Sequence, residues 1–384
     1  MGDRNRRRKG RTIRYFDYSL LAVMIFLVCF GLVMLYSGSS YESLTKFDDG
    51  MYYFKRQAMI SLGSGVAMLI IAQIDYHFYA KPSILLYWAA MFMMALVRFT
   101  PLGIEAFGTK RWLRLPANQQ IQPSEVMKVA VILFIPYLLC KMGDKINTGK
   151  GFKTIFWWGF IAAGGVFYLT DNLSTAIIVF GICFGLVFVV HKKTKPFVYM
   201  SAGAVTIVVT AAVICGRLLE NSTDFRIRRV LAWLYPEKFA DSGAFQTMQG
   251  FYAIGSGGFF GKGLGNGAQK MIIPEVQNDM ILTVICEELG VFGAIMVLTL
   301  FGLLLYRLLF IAQNAPDLYG SLIVTGIFIH IGLQVILNVA VVLNVIPTTG
   351  ITLPFISYGG TSILFLMSEI GIALGVSKKI KLEE

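Results

Sequence analysis

Long apolar stretches are the feature that most limits what this chain can fold into. Ten stretches of 16 or more mostly apolar residues follow one another along the 384-residue sequence. An apolar segment of about 20 residues is long enough to cross a bilayer as a helix. With 56% apolar and only 15% charged residues, the chain has more apolar surface than a soluble fold buries. The pattern predicts an all-α polytopic membrane protein and excludes a compact soluble enzyme, a disordered chain and a peripheral membrane protein.

The membrane helices and the charges beside them predict an orientation. We place the helices at about 17–37, 57–74, 82–98, 123–140, 154–170, 174–190, 197–216, 280–309, 319–344 and 361–377. Lysine and arginine are concentrated in the short loops on the side of the N-terminus, so both termini are predicted to be cytoplasmic. The chain would then be a single membrane domain, 1–384. It would have a basic cytoplasmic tail at 1–16 and a large extracellular loop at 217–279 between helices seven and eight.

The formal net charge of +12 does not indicate nucleic-acid binding. Seven of the 34 Lys and Arg residues fall within the first 14 positions, directly before the first apolar stretch. A basic flank of this kind holds the inner end of a membrane helix. The five cysteines lie in or beside apolar segments without a C-x-x-C pair, and the chain has only three histidines, so no zinc site is predicted.

A glycine-rich segment within the large loop, residues 255–267, contains seven glycines and one lysine. It is not a P-loop, because Ser256 stands where the first glycine is needed and Gly263 follows Lys262 where Ser or Thr is needed. Glycines allow a positive φ and a close approach of the backbone to a ligand. The segment is either a flexible turn or a backbone nest beside a pyrophosphate or a sugar.

The outer end of the fourth helix carries paired charges. Pro123 suits the first helical turn, and Glu125 suits the third position, near the unpaired amides. Glu125 and Lys128 are three residues apart and therefore share one helix face. A charge pair inside a membrane helix either pins the helix or marks a functional site, and the high cost of such charges favours the site.

Two further charged segments belong to the large loop. Residues 225–233 place three arginines and a tryptophan at alternating or helical spacing, which fits either an amphipathic helix in the headgroup layer or a solvated basic face. Asp279 follows where the loop enters the eighth apolar helix, and Glu287 and Glu288 lie two turns deeper. An aspartate at a helix start is most often an N-cap, and position alone favours that interpretation.

Several motifs taken together resemble the SEDS family (shape, elongation, division and sporulation), the group of FtsW, RodA and SpoVE. They are KRW at 110–112, QPSEVMK at 122–128, AIGSGGFFGKGLGN at 253–266, ND at 278–279 with EELG at 287–290, and PTTGITLPFISYGG at 347–360. The resemblance extends from about residue 15 to residue 377. Gly263 to Asn266, with Gln269 and Lys270, is more similar to the FtsW and SpoVE branch than to RodA, and most like FtsW.

The resemblance implies a ten-helix peptidoglycan glycosyltransferase of the bacterial cytoplasmic membrane. Such proteins polymerise lipid II, the undecaprenyl-pyrophosphate-linked disaccharide pentapeptide, at the outer face of the membrane during division or elongation. They work with a class B penicillin-binding protein transpeptidase and with other divisome or elongasome membrane proteins.

The resemblance also implies roles for individual residues. Asp279 matches the essential loop aspartate, which replaces the cap interpretation. It would be the catalytic base of an inverting transfer or a ligand of a divalent cation, Mg²⁺ or Mn²⁺. The predicted substrate-binding residues are Arg111, Glu125, Lys128, Lys262, Asn266 and Ser357.

The sequence departs from the family pattern at two places. The family's Gln-Pro-Asp-Leu-Gly-Thr is TDNLST at 170–175, so Asn172 stands at the aspartate position with Asp171 beside it. The common His-Thr-Asp before the eighth helix is Gln277-Asn278-Asp279, which keeps the aspartate but not the flanking pair.

Two other functions fit a polytopic protein with polar residues inside its helices. Ten spans and polar residues inside helices fit a transporter that flips lipid II equally well, although inverted halves, which would favour it, are not visible in the sequence. A scaffold that only recruits the penicillin-binding protein would leave the charged and glycine-rich outer loops without a purpose.

Overall fold

A computed structural model of the chain describes residues 13–106, 109–114, 120–218 and 225–382. These residues form twelve α-helices and five short strands. The helices are α1 Tyr18–Phe47, α2 Tyr52–Ile71, α3 Ser83–Phe99, α4 Pro123–Met142, α5 Gly149–Thr170, α6 Leu173–Val190, α7 Lys195–Leu218, α8 Phe225–Leu234, α9 Phe245–Gly257, α10 Ile281–Asn314, α11 Leu318–Val342 and α12 Ser362–Ser377. The strands are β1 Ile13–Arg14, β2 Gly103–Ala106, β3 Thr109–Arg114, β4 Gln120–Ile121 and β5 Lys381–Leu382.

The helices confirm the mainly helical class. All ten predicted apolar stretches are helical, as α1 to α7 and α10 to α12, while α8 and α9 lie within the predicted large loop. Seven of the described helices are long and apolar enough to cross a membrane: α1, α4, α5, α6, α7, α10 and α11. α3 and α12 are apolar but shorter. The number of spans, ten, stays a prediction.

Two small antiparallel sheets make the all-α prediction too simple. β2, β3 and β4 form a three-stranded sheet, in that order, between the third and fourth predicted helices. β1 pairs with β5, with Ile13 opposite Leu382. This pairing brings both described ends of the chain to one end of the bundle, as an even number of crossings requires. The predicted basic tail lies mainly outside the described residues.

α4 is the central helix of the bundle. Every residue from Pro123 to Pro136 is buried, because α3, α5, α6 and α11 pack around it. In contrast, most side chains of α7 are exposed. A polar group inside such a buried helix needs a partner from a neighbouring helix. Glu125 and Lys128, in the first turns of α4, must therefore find their partners in each other or in polar side chains of the surrounding helices.

The eighth predicted span, α10, is broken at Gly290, where φ is 68°. A break leaves amides and carbonyls without partners inside the helix. The glycine-rich segment provides them. Its amides at 262–263 donate to the carbonyls at 287–288 over 2.9 to 3.0 Å, and its carbonyls at 258–259 accept from the amides at 291–292 over 3.0 to 3.1 Å. Irregular backbone at membrane depth is stable only when protein satisfies it in this way.

Candidate functional site

Asp279 lies directly before α10 but does not cap it. The cap position of α10 is Met280, and the described residues form no side-chain hydrogen bond to the amides of its first turn. The interpretation of Asp279 as an N-cap is therefore wrong. Its backbone carbonyl accepts from Asn338 Nδ2 at 2.8 Å, which ties the start of α10 to α11.

The carboxylate of Asp279 is half-buried, and no cation among the described residues forms an ion pair with it. Burial raises the pKa of Asp279, and the charge of Arg229 opposes that effect in part. Gly350 lies beside the carboxylate: a Cβ there would stand 4.0 Å from Oδ2. A partly accessible carboxylate with a raised pKa is suited to accept a proton.

α8 brings Arg229 to this carboxylate. The helix docks onto the segment that follows α11: Trp233 Nε1 donates to the carbonyl of Asn344 at 2.9 Å, and Arg229 Nη1 donates to that of Thr348 at 3.4 Å. The amphipathic helix expected at 225–233 is formed as α8, with Leu231 and Ala232 buried and Arg228 exposed. Its place in the headgroup layer stays a prediction. A solvated basic face alone is too simple, because one side of α8 packs against the site.

Arg111 on β3 belongs to the same neighbourhood. Burial lowers the pKa of Arg111, and the like charge of Arg229 lowers it further. Its Nη2 donates to the carbonyl of Asp171 at 3.3 Å, whereas its buried Nε has no hydrogen-bond partner among the described residues. The guanidinium groups of Arg111 and Arg229 therefore lie close enough to act on each other, and Arg229 also acts on Asp279.

The position where the family has an aspartate has a structural use in this chain. The side chain of Asn172 accepts from the amide of Thr175 at 3.0 Å and so caps α6. Asp171 adopts a left-handed conformation, with φ of 48°, and its carboxylate pairs with Arg98 at 3.0 Å. The Asp171 carboxylate thus engages Arg98, while its carbonyl engages Arg111.

The predicted pair on α4 is formed and buried. Lys128 Nζ lies 2.8 Å from Glu125 Oε1 and 3.4 Å from Gln334 Oε1 of α11. Gln334 Nε2 donates to the carbonyl of Thr352 at 3.0 Å. One turn further along α11, Asn338 Nδ2 donates to the carbonyl of Ile351 at 2.7 Å as well as to that of Asp279. α11 thus connects Lys128 and the segment at 351–352 to the backbone of Asp279.

The glycine-rich segment is a backbone nest, but carboxylates of the same chain occupy it. Glu287 accepts from the amides of Ala268 and Gln269 at 3.0 and 3.1 Å and pairs with Lys262 at 2.7 Å. Glu288 accepts from the amide of Gly265 at 3.0 Å. Glu288 also accepts from the amide of Gly267 at 3.4 Å, and Ser37 Oγ and Lys270 Nζ each lie 2.7 Å from its carboxylate.

Three predicted substrate-binding residues make internal contacts. The ammonium of Lys262 is on Glu287, and Asn266 Nδ2 donates to the carbonyl of Lys262 at 3.2 Å. The hydroxyl oxygen of Ser357 accepts from the amide of Leu353 at 2.8 Å. These contacts give each residue a structural use, and binding of substrate by them stays a prediction.

The residues around Asp279 are a poor cradle for a divalent cation held by protein alone. No group of three or more His, Cys, Asp or Glu side chains is arranged for a metal in the described parts of the chain. The charges that act on Asp279 include the guanidinium of Arg229, which repels a cation. Mg²⁺ or Mn²⁺ stays a prediction, and no step derived below uses one.

Sequence reasoning missed Arg229, Gln334 and Asn338. A signal for the last two was present: with His330 they form a polar series at four-residue spacing within an otherwise apolar helix. Such a series places every member on one helix face. For Arg229, the arginine spacing alone does not distinguish the buried member from the exposed Arg228.

The fold and the polar site define an integral membrane protein that gathers charged side chains beside the start of α10. The family model described as "Cell cycle protein", for FtsW, RodA and SpoVE, matches residues 17–382. The chain belongs to this family, and it is an integral protein of the bacterial cytoplasmic membrane.

Relatives match the chain over nearly its full length. The probable peptidoglycan glycosyltransferase FtsW of Geobacter sp. (strain M18) is 34% identical over 375 residues, which cover 97% of this chain and 99% of that protein. Stage V sporulation protein E of Bacillus subtilis (strain 168) is 35% identical over 374 residues, covering 94% and 97%.

Solved structures share the fold. A chain of a peptidoglycan synthase complex that coordinates polymerization and crosslinking matches with a TM-score of 0.77 and 26% identity, covering 94% of this chain and 97% of that one. The rod shape determining protein RodA of Thermus thermophilus matches with a TM-score of 0.68 and 24% identity, covering 95% and 97%.

Proposed function

We propose that the chain is a peptidoglycan glycosyltransferase that polymerises lipid II at the outer face of the cytoplasmic membrane. The observation that carries the proposal is the state of Asp279, a half-buried carboxylate with a raised pKa that no described cation neutralises in an ion pair. A carboxylate kept in this state is suited to take a proton. The names of the full-length relatives agree with this activity.

The reaction joins two lipid-linked sugars. A hydroxyl of one sugar attacks the anomeric carbon of the other, and undecaprenyl pyrophosphate leaves. Asp279 takes the hydroxyl proton as the new bond forms. The donor is α-linked and the product β-linked, so one inverting displacement is expected.

Positive charge near Asp279 stabilises the leaving diphosphate. Arg111 and Arg229 supply guanidinium groups, which bind phosphate oxygens through paired N–H donors. The buried Nε of Arg111, without a partner among the described residues, is one donor that a phosphate oxygen would satisfy. Lys128 adds a point charge held in place by Glu125 and Gln334.

The site faces outward in a ten-span topology with both termini in the cytoplasm and the 217–279 loop outside. The pairing of β1 with β5 supports termini on one side. In a cysteine-free background, Ser242→Cys should react with an impermeant thiol reagent in intact cells, and Asp144→Cys only after permeabilisation. The reverse labelling pattern would show that the chain has the opposite orientation in the membrane.

A class B penicillin-binding protein is the proposed partner, within the divisome or the elongasome. One face of α10 exposes the apolar side chains of Val291, Ile295 and Leu298, which recur at helical spacing. Membrane helices associate through packing of such faces. Ile295→Trp should lower co-purification of that protein while the chain still folds. Unchanged co-purification would place the interface elsewhere.

Polymerisation of purified lipid II by the purified chain, with and without its partner, tests the proposal. Wild type should form glycan strands. Arg111→Ala should lower the rate about 10²-fold, as expected for losing one preorganised charge at the leaving group. The exposed Arg114 on the same strand is the matched control, and Arg114→Ala should leave the rate nearly unchanged. A flippase would instead move lipid II across vesicles without making polymer, and a scaffold would do neither.

A further inference from the structure

A buried acid–histidine pair lies behind Lys128, and neither residue belongs to the reaction described above. His330 of α11 and Glu369 of α12 are 1% and 0% exposed. His330 Nδ1 lies 2.8 Å from Glu369 Oε2, and His330 Nε2 lies 3.0 Å from Gln334 Oε1. Both residues are about halfway along apolar helices, where ionisable side chains are costly and indicate a function.

The hydrogen bonds determine which atom of His330 carries a proton. Gln334 Nε2 donates to the carbonyl of Thr352, so the amide oxygen of Gln334 must face Lys128 and His330. Because that oxygen accepts only, His330 Nε2 must be protonated and donate to it. Nδ1 and Glu369 then share one further proton, either as an imidazolium beside a carboxylate or as a neutral ring beside a carboxylic acid.

The pair therefore fixes the orientation of the Gln334 amide. Without the donor on His330 Nε2, the amide could rotate and present its NH₂ group to Lys128. The ammonium would then lose an acceptor and meet a donor. The same rotation would release the carbonyl of Thr352, next to the Ile351 carbonyl that Asn338 holds beside Asp279.

Stability alone is a poor reason for this arrangement. Replacing a buried ion pair with well-packed apolar residues is often neutral or stabilising. Glu369 Oε1 is moreover buried without a hydrogen-bond partner among the described residues, which makes the pair more costly still.

We propose that His330 and Glu369 are positioning residues for polymerisation. They hold the Gln334 amide so that its oxygen orients the Lys128 ammonium toward the substrate diphosphate. The inference rests on the proposed function, because it gives these residues a part in the same site. They touch no substrate and act only through Gln334 and Lys128.

Activity of the full chain with its partner is the first test. His330→Phe and Glu369→Leu should each lower the lipid II polymerisation rate about tenfold, the scale of one lost hydrogen bond to a charged group. The double variant His330→Phe/Glu369→Leu, which replaces the whole pair, should unfold thermally at or above the wild-type temperature, whereas each single variant leaves one buried partner and should unfold at a lower temperature. Glu369→Gln is the matched control: its amide still donates to Nδ1, keeps the proton on Nε2 and should restore the rate to within about threefold of wild type.

A double-variant cycle separates positioning from a general packing effect. Gln334→Leu with His330→Phe should be no slower than Gln334→Leu alone, because the pair acts through Gln334. The inference would be overturned if the fold reductions of the two single variants multiplied in the double variant. It would also be overturned if Glu369→Gln were as slow as Glu369→Leu, or if His330→Phe polymerised at the normal rate.

Nitrogen-15 NMR of histidine-labelled protein supplies a test that does not need activity. The chain has three histidines, and the His330→Phe variant identifies the His330 signals. A protonated Nε2 whose signal changes in Gln334→Leu is expected, and an unprotonated Nε2 would overturn the arrangement. If wild type makes no polymer, the proposed function fails and catalytic positioning fails with it. The NMR result then decides the hydrogen-bond arrangement on its own.

Discussion

The chain contains two clusters of acidic and basic residues beside the start of α10, and they differ in how completely they are satisfied. The nest cluster is formed by Glu287, Glu288 and the glycine-rich segment. In it, the single carboxylate of Glu288 accepts from a hydroxyl, an ammonium and a backbone amide. In the Asp279 cluster, the carboxylate is half-buried and no described cation pairs with it. Similar residue types therefore hold a broken helix together in one place and remain available for chemistry in the other.

The difference shows why residue type alone does not identify a catalytic carboxylate. A carboxylate surrounded by donors is held in its charged form and cannot take a proton easily. A carboxylate that is buried without a paired cation has a raised pKa and can. Substitutions in the nest cluster should therefore change mainly stability, and substitutions around Asp279 should change mainly activity.

Loss of Lys128 should have the largest effect on activity among the basic residues. Lys128→Ala removes the charge and leaves Glu125 buried without its partner, so polymerisation should fall by more than about 10²-fold while the protein still accumulates in the membrane. Lys46 on α1, which forms an exposed pair with Glu42, is the control, and Lys46→Ala should change little. Normal polymerisation by Lys128→Ala would show that the Glu125–Lys128 pair is not needed for activity and at most holds α4 in place.

Loss of Lys270 should act on stability instead. Lys270→Ala leaves Glu288 without the ammonium of a buried pair, and such losses lower the free energy of unfolding by about 3–5 kcal/mol. Lys262→Ala should lower it by only about 1 kcal/mol, because Lys262 is partly exposed and Glu287 keeps two backbone amides. Thermal unfolding in detergent compares the two. If both substitutions lowered the free energy of unfolding equally, the buried Lys270–Glu288 pair would matter no more for stability than the partly exposed Lys262–Glu287 pair.

The pH dependence of polymerisation should report on Asp279 and shift with Arg229. The base must be charged, so the rate should fall as pH falls through the pKa of Asp279, which burial raises above its ordinary value. The charge of Arg229 lowers that pKa, so Arg229→Ala should raise it further and move the acid limb to higher pH. Arg228→Ala should leave the profile in place. A shift to lower pH in Arg229→Ala would contradict this account.

Much of the fold could be predicted from the sequence, because a membrane helix is specified by local composition. All ten apolar stretches became helices. The errors fall at ends and breaks. α1 continues ten residues beyond the predicted end at 37, through serines that bond within the protein: Ser39 to the carbonyl of Leu35, and Ser37 to Glu288. The break at Gly290 was not predicted, since a single glycine inside a helical pattern is tolerated and the apolar residues resume directly after it.

The site was predictable only where residues lie close together in sequence. The Glu125–Lys128 pair follows from helical spacing and is formed. The contacts of Arg229 with the segment after α11, and those of Gln334 and Asn338 with residues 351–352, join distant parts of the chain that no local pattern connects. The occupants of the nest were missed for the same reason, because Glu287 and Glu288 lie about twenty residues beyond the segment in the chain.

The rate of lipid II polymerisation by Asp279→Asn, measured with the purified chain and its partner, tests the central claim most directly. Asn keeps the size and hydrogen-bonding capacity of Asp but not its charge. The rate should fall by at least about 10²-fold, the scale of lost general base catalysis, with thermal unfolding and partner binding unchanged. Asp241→Asn, at an exposed position of the same loop, should polymerise normally. An Asp279→Asn variant that polymerises at close to the wild-type rate would contradict the assignment of Asp279 as the base.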